Sequence, residues 1–167
     1  MANLSRSSSS SSTSSGYYFD PSMSSNMNFT IPDDPSPNLR AFLRYIDALH
    51  RWDFDDIMAC FDDTLEHRIL PQSLGRPVLN KKQYGEYFRG VHPIFKAWRV
   101  SSKGESVNGT PYSQEYALII HFAPQVDANI LPKMTLVKEF VDSAFSIKFF
   151  SEERAKMEKL KAEGKKP

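Results

Sequence analysis

Helical spacing of apolar residues dominates the chain from Leu39 to Ile94, and short strand-like runs bounded by turn residues dominate it from Lys96 onward. That order constrains the fold more than any single motif. A strict alternation of strand and helix would build a parallel sheet. Helices first and strands after instead predict an α+β domain with helices packed on one sheet.

In "SPNLRAFLRYIDALHRWD", Ser36 is an N-cap, Pro37 suits the first helical position, and Leu39, Phe42, Leu43, Ile46 and Leu49 form one apolar stripe. A second short helix is predicted in "DFDDIMACF", capped by Asp53. "LEHRIL" (65–70) alternates as a strand does, and Pro71 ends it. "PQSLGRPVLN" reads as a loop, after which Asn80 caps a third helix that Pro93 kinks or divides. "KAWRV" is a short strand and "SKGESVNGTPYS" a turn-rich connection. "EYALIIHFA" is the clearest strand, and "KMTLVKEFVDSAF" the next. The domain therefore spans 36–150. Residues 1–35 form a Ser-rich tail whose low apolar content does not offset its ordering entropy. Residues 151–167 form a charged helix or fraying tail.

Composition narrows the function. With 167 residues the chain holds one domain, and 40% hydrophobic and 13% aromatic residues supply a core. A net charge of +1 without a basic block argues against nucleic acid as a partner. Cys60 is the single cysteine, so no internal disulfide and no cysteine-based zinc site is expected. No apolar run reaches the roughly 18 residues of a membrane span, and the N-terminus lacks a secretory apolar core. The expectation is a soluble cytoplasmic protein.

The residues that carry chemistry sit on the strands. Side chains alternate faces along a strand, so Glu139 shares a face with Thr135, Val137 and Val141, whereas Asp142 shares the other with Lys138 and Phe140. A carboxylate on a buried apolar face needs a partner or takes a raised pKa, and a pKa near neutrality suits general acid–base work. The alternative is a salt bridge or a solvent-facing edge. His67 lies on one face with Leu65 and Ile69, where a satisfied core histidine is the alternative to a proton shuttle. Tyr116 shares a face with Leu118, Ile120 and Phe122 and lies beside Glu115; it either binds a substrate oxygen or sits at the rim. Arg76, in "SLGRP", either binds an anionic group or fixes its loop. His50, His92 and His121 fit no metal spacing, so no metal is assigned.

Four segments in order, "WDFDDIMACF", "HRILPQSLGRPVLNKKQYGEYF", "GTPYSQEYALIIHF" and "KEFVDSAFSIKFF", resemble fungal SnoaL-like proteins of the nuclear transport factor 2-like superfamily. The resemblance runs from about Leu39 to Phe150. It implies a cone: helices packed against a strongly curved antiparallel sheet that encloses an apolar pocket, commonly in a homodimer. It further implies a cofactor-independent isomerase or cyclase of polyketide or terpenoid secondary metabolism. His67, Glu139 and Asp142 are then candidate catalytic residues, with Tyr116 and Glu115 toward the substrate and no cofactor; Arg76, read from its loop alone, is a further substrate-binding candidate. The alternative is a non-catalytic ligand-binding or dimerisation module. One departure bears on this choice. Relatives carry about 10–15 more residues after the segment matching "IFKAWRV", roughly a hairpin arm and turn. Here Val100 runs directly into Ser101, Ser102, Lys103 and Gly104. A hairpin truncated there would open the cone wall.

Overall fold

A computed structural model of the chain describes residues 30–99 and 103–164. The Ser-rich tail falls mostly on 1–29, and the shortened connection after Val100 on 100–102, both outside the described residues. On either side of that connection, β2 (Phe95–Arg99) and β3 (Lys103–Ser106) pair antiparallel, with Arg99 opposite Lys103.

Three helices precede these strands, and their starts follow the predicted caps. α1 (Pro37–Arg51) begins where Ser36 Oγ accepts from the Leu39 amide, and α2 (Phe54–Ala59) where Asp53 accepts from Asp56. α3 (Lys81–Val91) has a full capping box between Asn80 and Gln83. Pro93 ends it in a single 3-10 turn, His92–Ile94. α1 stops at Trp52, which takes a left-handed conformation with φ 55° and sends its indole against the His92 ring. Trp52 Nε1 donates to the His92 carbonyl, and His92 Nε2 lies 2.8 Å from the Trp52 carbonyl. The end of α1 is thereby fastened to the end of α3.

The strands form two three-stranded sheets. β1 (Phe61–Leu70), β6 (Met134–Phe140) and β5 (Ala117–Phe122) make one, in the order β1-β6-β5. β2, β3 and β4 (Pro111–Ser113) make the other. The architecture is α+β, as expected, but the sheet is not wholly antiparallel: β1 runs parallel to β6, while β5 and β6 are antiparallel. The stretch predicted as turn-rich, 102–113, instead contains the β3–β4 hairpin. Its turn needs Gly109 at φ 79°, which a Cβ would strain. The predicted strand through Phe145 ends at Phe140. Asp142 accepts from the Phe145 amide and starts α4 (Ser143–Ala162), which runs on through the charged segment.

Two apolar clusters result. Ile46, Ile57, Phe61, Leu65, Met134 and Val137 lie in the first, between the helices and the β1-β6-β5 sheet. Ile94, Phe95, Tyr112 and Phe149 form the second, where α4 packs on the β2-β3-β4 sheet. No described helix is long and apolar enough to cross a membrane.

Candidate active site

A cavity of about 380 Å³ lies between these clusters. α1 lines it with Phe42, Tyr45, Ile46 and Leu49; α3 adds Tyr84, Tyr87 and Phe88; α4 closes another side with Ser146, Ile147 and Phe150. Among the described residues the lining holds one carboxylate, Glu139, and one cation, Arg76.

Glu139 reaches the cavity because of strand alternation. Val137, on the same face of β6, is buried in the core, and Glu139 two residues on reaches the cavity. About a quarter of its side-chain surface remains accessible, and that surface belongs to the cavity wall. The aromatic surroundings disfavour the charged form, and this burial pushes the Glu139 carboxyl up to about 7.

The parallel pairing of β1 with β6 decides what stands behind Glu139. His67 is opposite Val137 and Ile69 opposite Glu139, so His67 and Glu139 are diagonal neighbours on one face. His67 Nε2 lies 3.5 Å from Glu139 Oε2, and neither ring nitrogen makes a hydrogen bond among the described residues. The ring stacks on Tyr84 at 4.0 Å between centroids. It is wholly enclosed, and burial pulls its pKa down to about 4, so it is neutral near pH 7. His67 does not line the cavity. It adjoins the cavity through two lining residues, the Glu139 carboxyl and the Tyr84 ring.

Four tyrosines of the lining feel the charge of Glu139, and none of them is hydrogen-bonded to it among the described residues. Burial first, and then the charge of Glu139, raises the pKa values of Tyr45, Tyr87 and Tyr116; Tyr84 is raised by burial, then by Tyr45 and Glu139. All four therefore remain protonated donors at neutral pH. Tyr116 is hydrogen-bonded to Tyr112, whose hydroxyl accepts from Gln114 Nε2. Ser146 Oγ of α4 in turn donates to Gln114 Oε1 at 3.0 Å. This chain ties the cavity-facing Tyr116 to the closing helix.

The other predicted residues are placed as follows. Tyr116 and Arg76 line the cavity. Glu115, next to Tyr116, is exposed and outside the lining. Asp142 is exposed, outside the lining, and caps α4. The family resemblance made Glu139 and Asp142 joint catalytic candidates, whereas the strand ends between them and Asp142 starts a helix. Tyr45, Tyr84 and Tyr87 were not singled out from the sequence. The helical stripe on α1 and the repeat of Tyr84 and Tyr87 at i, i+3 on α3 were the available signals. No group of three His, Cys, Asp or Glu among the described residues is placed to hold a metal.

No protein-family model matches the sequence, and no curated protein resembles it at a significant level. Solved structures do. The chain is similar to the BvnE pinacolase from Penicillium brevicompactum (TM-score 0.58, 20% identity, covering 71% of this chain and 94% of that one). It is also similar to PrhC from Penicillium brasilianum (TM-score 0.58, 14% identity, 73% and 93% covered). A third likeness is to a nuclear transport factor 2-like protein of unknown function from Burkholderia pseudomallei (TM-score 0.55, 14% identity, 68% and 96% covered). The chain therefore has the nuclear transport factor 2-like fold.

Proposed function

We propose that the protein is a cofactor-independent isomerase or cyclase that relocates a proton on a hydrophobic polyketide- or terpenoid-like molecule, with Glu139 as the base. One observation carries this reading: a carboxyl held at about pH 7, with no donor neutralising it, faces an otherwise aromatic and aliphatic cavity. A base with that pKa is half ionised at cellular pH and can both take and return a proton.

Glu139 takes a proton from a carbon next to a carbonyl, and the electron pair moves onto the carbonyl oxygen as an enolate. Tyr116, protonated and hydrogen-bonded to Tyr112, donates to that oxygen. Where a carbon–carbon double bond is conjugated with that enolate, Glu139 returns the proton at the far carbon of the dienolate, and the double bond shifts by one place. His67 is a positioning residue: its buried neutral ring packs behind the carboxyl, with Nε2 3.5 Å from Oε2, and does not line the cavity. Asp142 acts at one remove, by starting the helix that closes the cavity. The likeness to a protein described as a pinacolase supports an isomerisation. The exposed Ile119 and Phe140 on the outer sheet face support a homodimer.

The test needs no natural substrate. In D2O, the wild-type protein is expected to accelerate deuterium uptake at the carbon next to the carbonyl of 2-tetralone, followed by mass spectrometry. The rate rises with pH through about 7 as Glu139 ionises. Glu139→Gln is expected to lower it at least ~100-fold. Unchanged exchange in that variant overturns the role of Glu139. No acceleration by the wild type with any of a panel of apolar ketones makes the cavity a binding site only.

A further inference from the structure

Arg76, the one cation of the lining among the described residues, is not needed by the proton transfer. Arg76 is exposed yet lines the cavity, so it stands at the mouth, whereas Glu139 lies further in. Among the described residues its guanidinium forms no ion pair. Its electrostatic reach into the cavity shows at Tyr87. Burial and then Glu139 raise that phenol, while Arg76 and Arg154 of α4 lower it.

The loop that carries Arg76 is fixed at both ends. A 3-10 turn at Gln72–Leu74 closes on Gly75, whose φ of 62° suits glycine and whose N–H bonds the Gln72 carbonyl. On the far side, Leu79 and His67 exchange two backbone hydrogen bonds, of 2.8 and 2.9 Å. Arg76 therefore hangs from the same backbone that seats His67. A side chain held in this way binds with less loss of freedom than one on a loose loop.

The geometry points to a ligand that is an apolar acid: its hydrocarbon body fills the cavity, and its carboxylate meets the Arg76 guanidinium at the mouth. Guanidinium and carboxylate match as a two-pronged donor and acceptor, and a mouth beside an apolar cavity strengthens the pairing relative to open water. A neutral ketone would leave the cation without a function in the site. An acid is also oriented by it, since one end is pinned outside while the reacting carbon is delivered inward to Glu139. This substrate class rests on the proposed function for its chemistry but is read by binding alone.

Matched probes test it: 1-naphthaleneacetate and its neutral isostere 1-naphthaleneacetamide, titrated calorimetrically into the full chain at pH 7.5. The acid is expected to bind about tenfold tighter than the amide. Arg76→Gln is expected to erase that preference by weakening the acid alone, and Arg76→Lys to keep part of it. Equal binding of both probes by the wild type overturns the proposal. So does an unchanged preference in Arg76→Gln, or failure of the wild type to bind either probe. Glu139→Gln, which ends deuterium exchange under the proposed function, keeps the preference for the acid. The two claims therefore fail separately.

Discussion

Glu139 and Glu153 are two glutamates in one small domain, and their surroundings push them in opposite directions. Glu153, on α4, is fully buried. Burial alone would raise it, but bonds from Lys156, Thr110, Asn108 and Ser106 outweigh that effect and hold its carboxyl at about 2. It is permanently ionised and fastens α4 to the β3–β4 hairpin, accepting from Asn108 Nδ2 at 2.9 Å and from Thr110 Oγ1 at 2.5 Å. Glu139 has more access to open space, yet its desolvation is met by no donor, and it rises to about 7. Burial itself therefore does not decide what an acid does. Donors turn a buried carboxylate into a fastener, and their absence leaves one that can trade a proton.

The comparison can be broken at each end. Glu153→Ala leaves Asn108 and Thr110 without their acceptor in a closed site, and is expected to cost ~2–4 kcal/mol of stability, read from urea melts. Because α4 also forms a wall of the cavity, the variant should lose ligand affinity as well. A cost below about 0.5 kcal/mol would mean that Glu153 is only a surface charge.

The pH dependence of stability sharpens the contrast. The Glu153 carboxyl is depressed in the folded state, so its contribution is present above the ordinary carboxylate range and is lost as pH falls toward about 2. The Glu139 carboxyl is raised, so the sign reverses: its contribution is present at pH 4.5 and below and is lost as pH rises through about 7. His67 is depressed to about 4, so its contribution is lost as pH falls from 6.5 toward 4. Between pH 4.5 and 6.5 the Glu139 and His67 slopes oppose one another, and the wild type should be nearly flat. Glu139→Gln removes one of them. Its stability is expected to climb by about 1–2 kcal/mol from pH 4.5 to 6.5. A flat profile in that variant would show that His67 titrates normally.

The smallest expected effect separates Asp142 from its sequence neighbour Glu139. Asp142→Ala removes the cap of α4 and should cost ~1 kcal/mol. Deuterium exchange on 2-tetralone should fall less than about threefold, because the group does not reach the cavity. A loss comparable to that of Glu139→Gln would place Asp142 in the chemistry after all.

Much of this molecule is legible residue by residue. The caps at Ser36, Asp53 and Asn80, the apolar stripe of α1, and the alternation that sets Val137 and Glu139 on one face all depend on neighbours within four positions. Local periodicity determines them, and so it reveals them. The end of β6 was missed because Val141 and Phe145 continue an apolar rhythm compatible with either a strand or a helix, and only the Asp142 cap breaks the tie. Glu153 was invisible for a related reason. It sits in a charged run, "SEERAKMEK", where burial of one glutamate among exposed neighbours leaves no pattern.

What the chain could not disclose by itself is which strands lie side by side. Glu139 and His67 are 72 residues apart in number, from 139 − 67, and meet only because β1 pairs parallel to β6 in a register that sets Ile69 opposite Glu139. A one-residue slip would set them on opposite faces of the sheet. The residue types and their faces were determined by sequence. The donor-poor surroundings that raise Glu139, and the donor-rich ones that lower Glu153, come from segments distant in the chain, so only tertiary packing decided them.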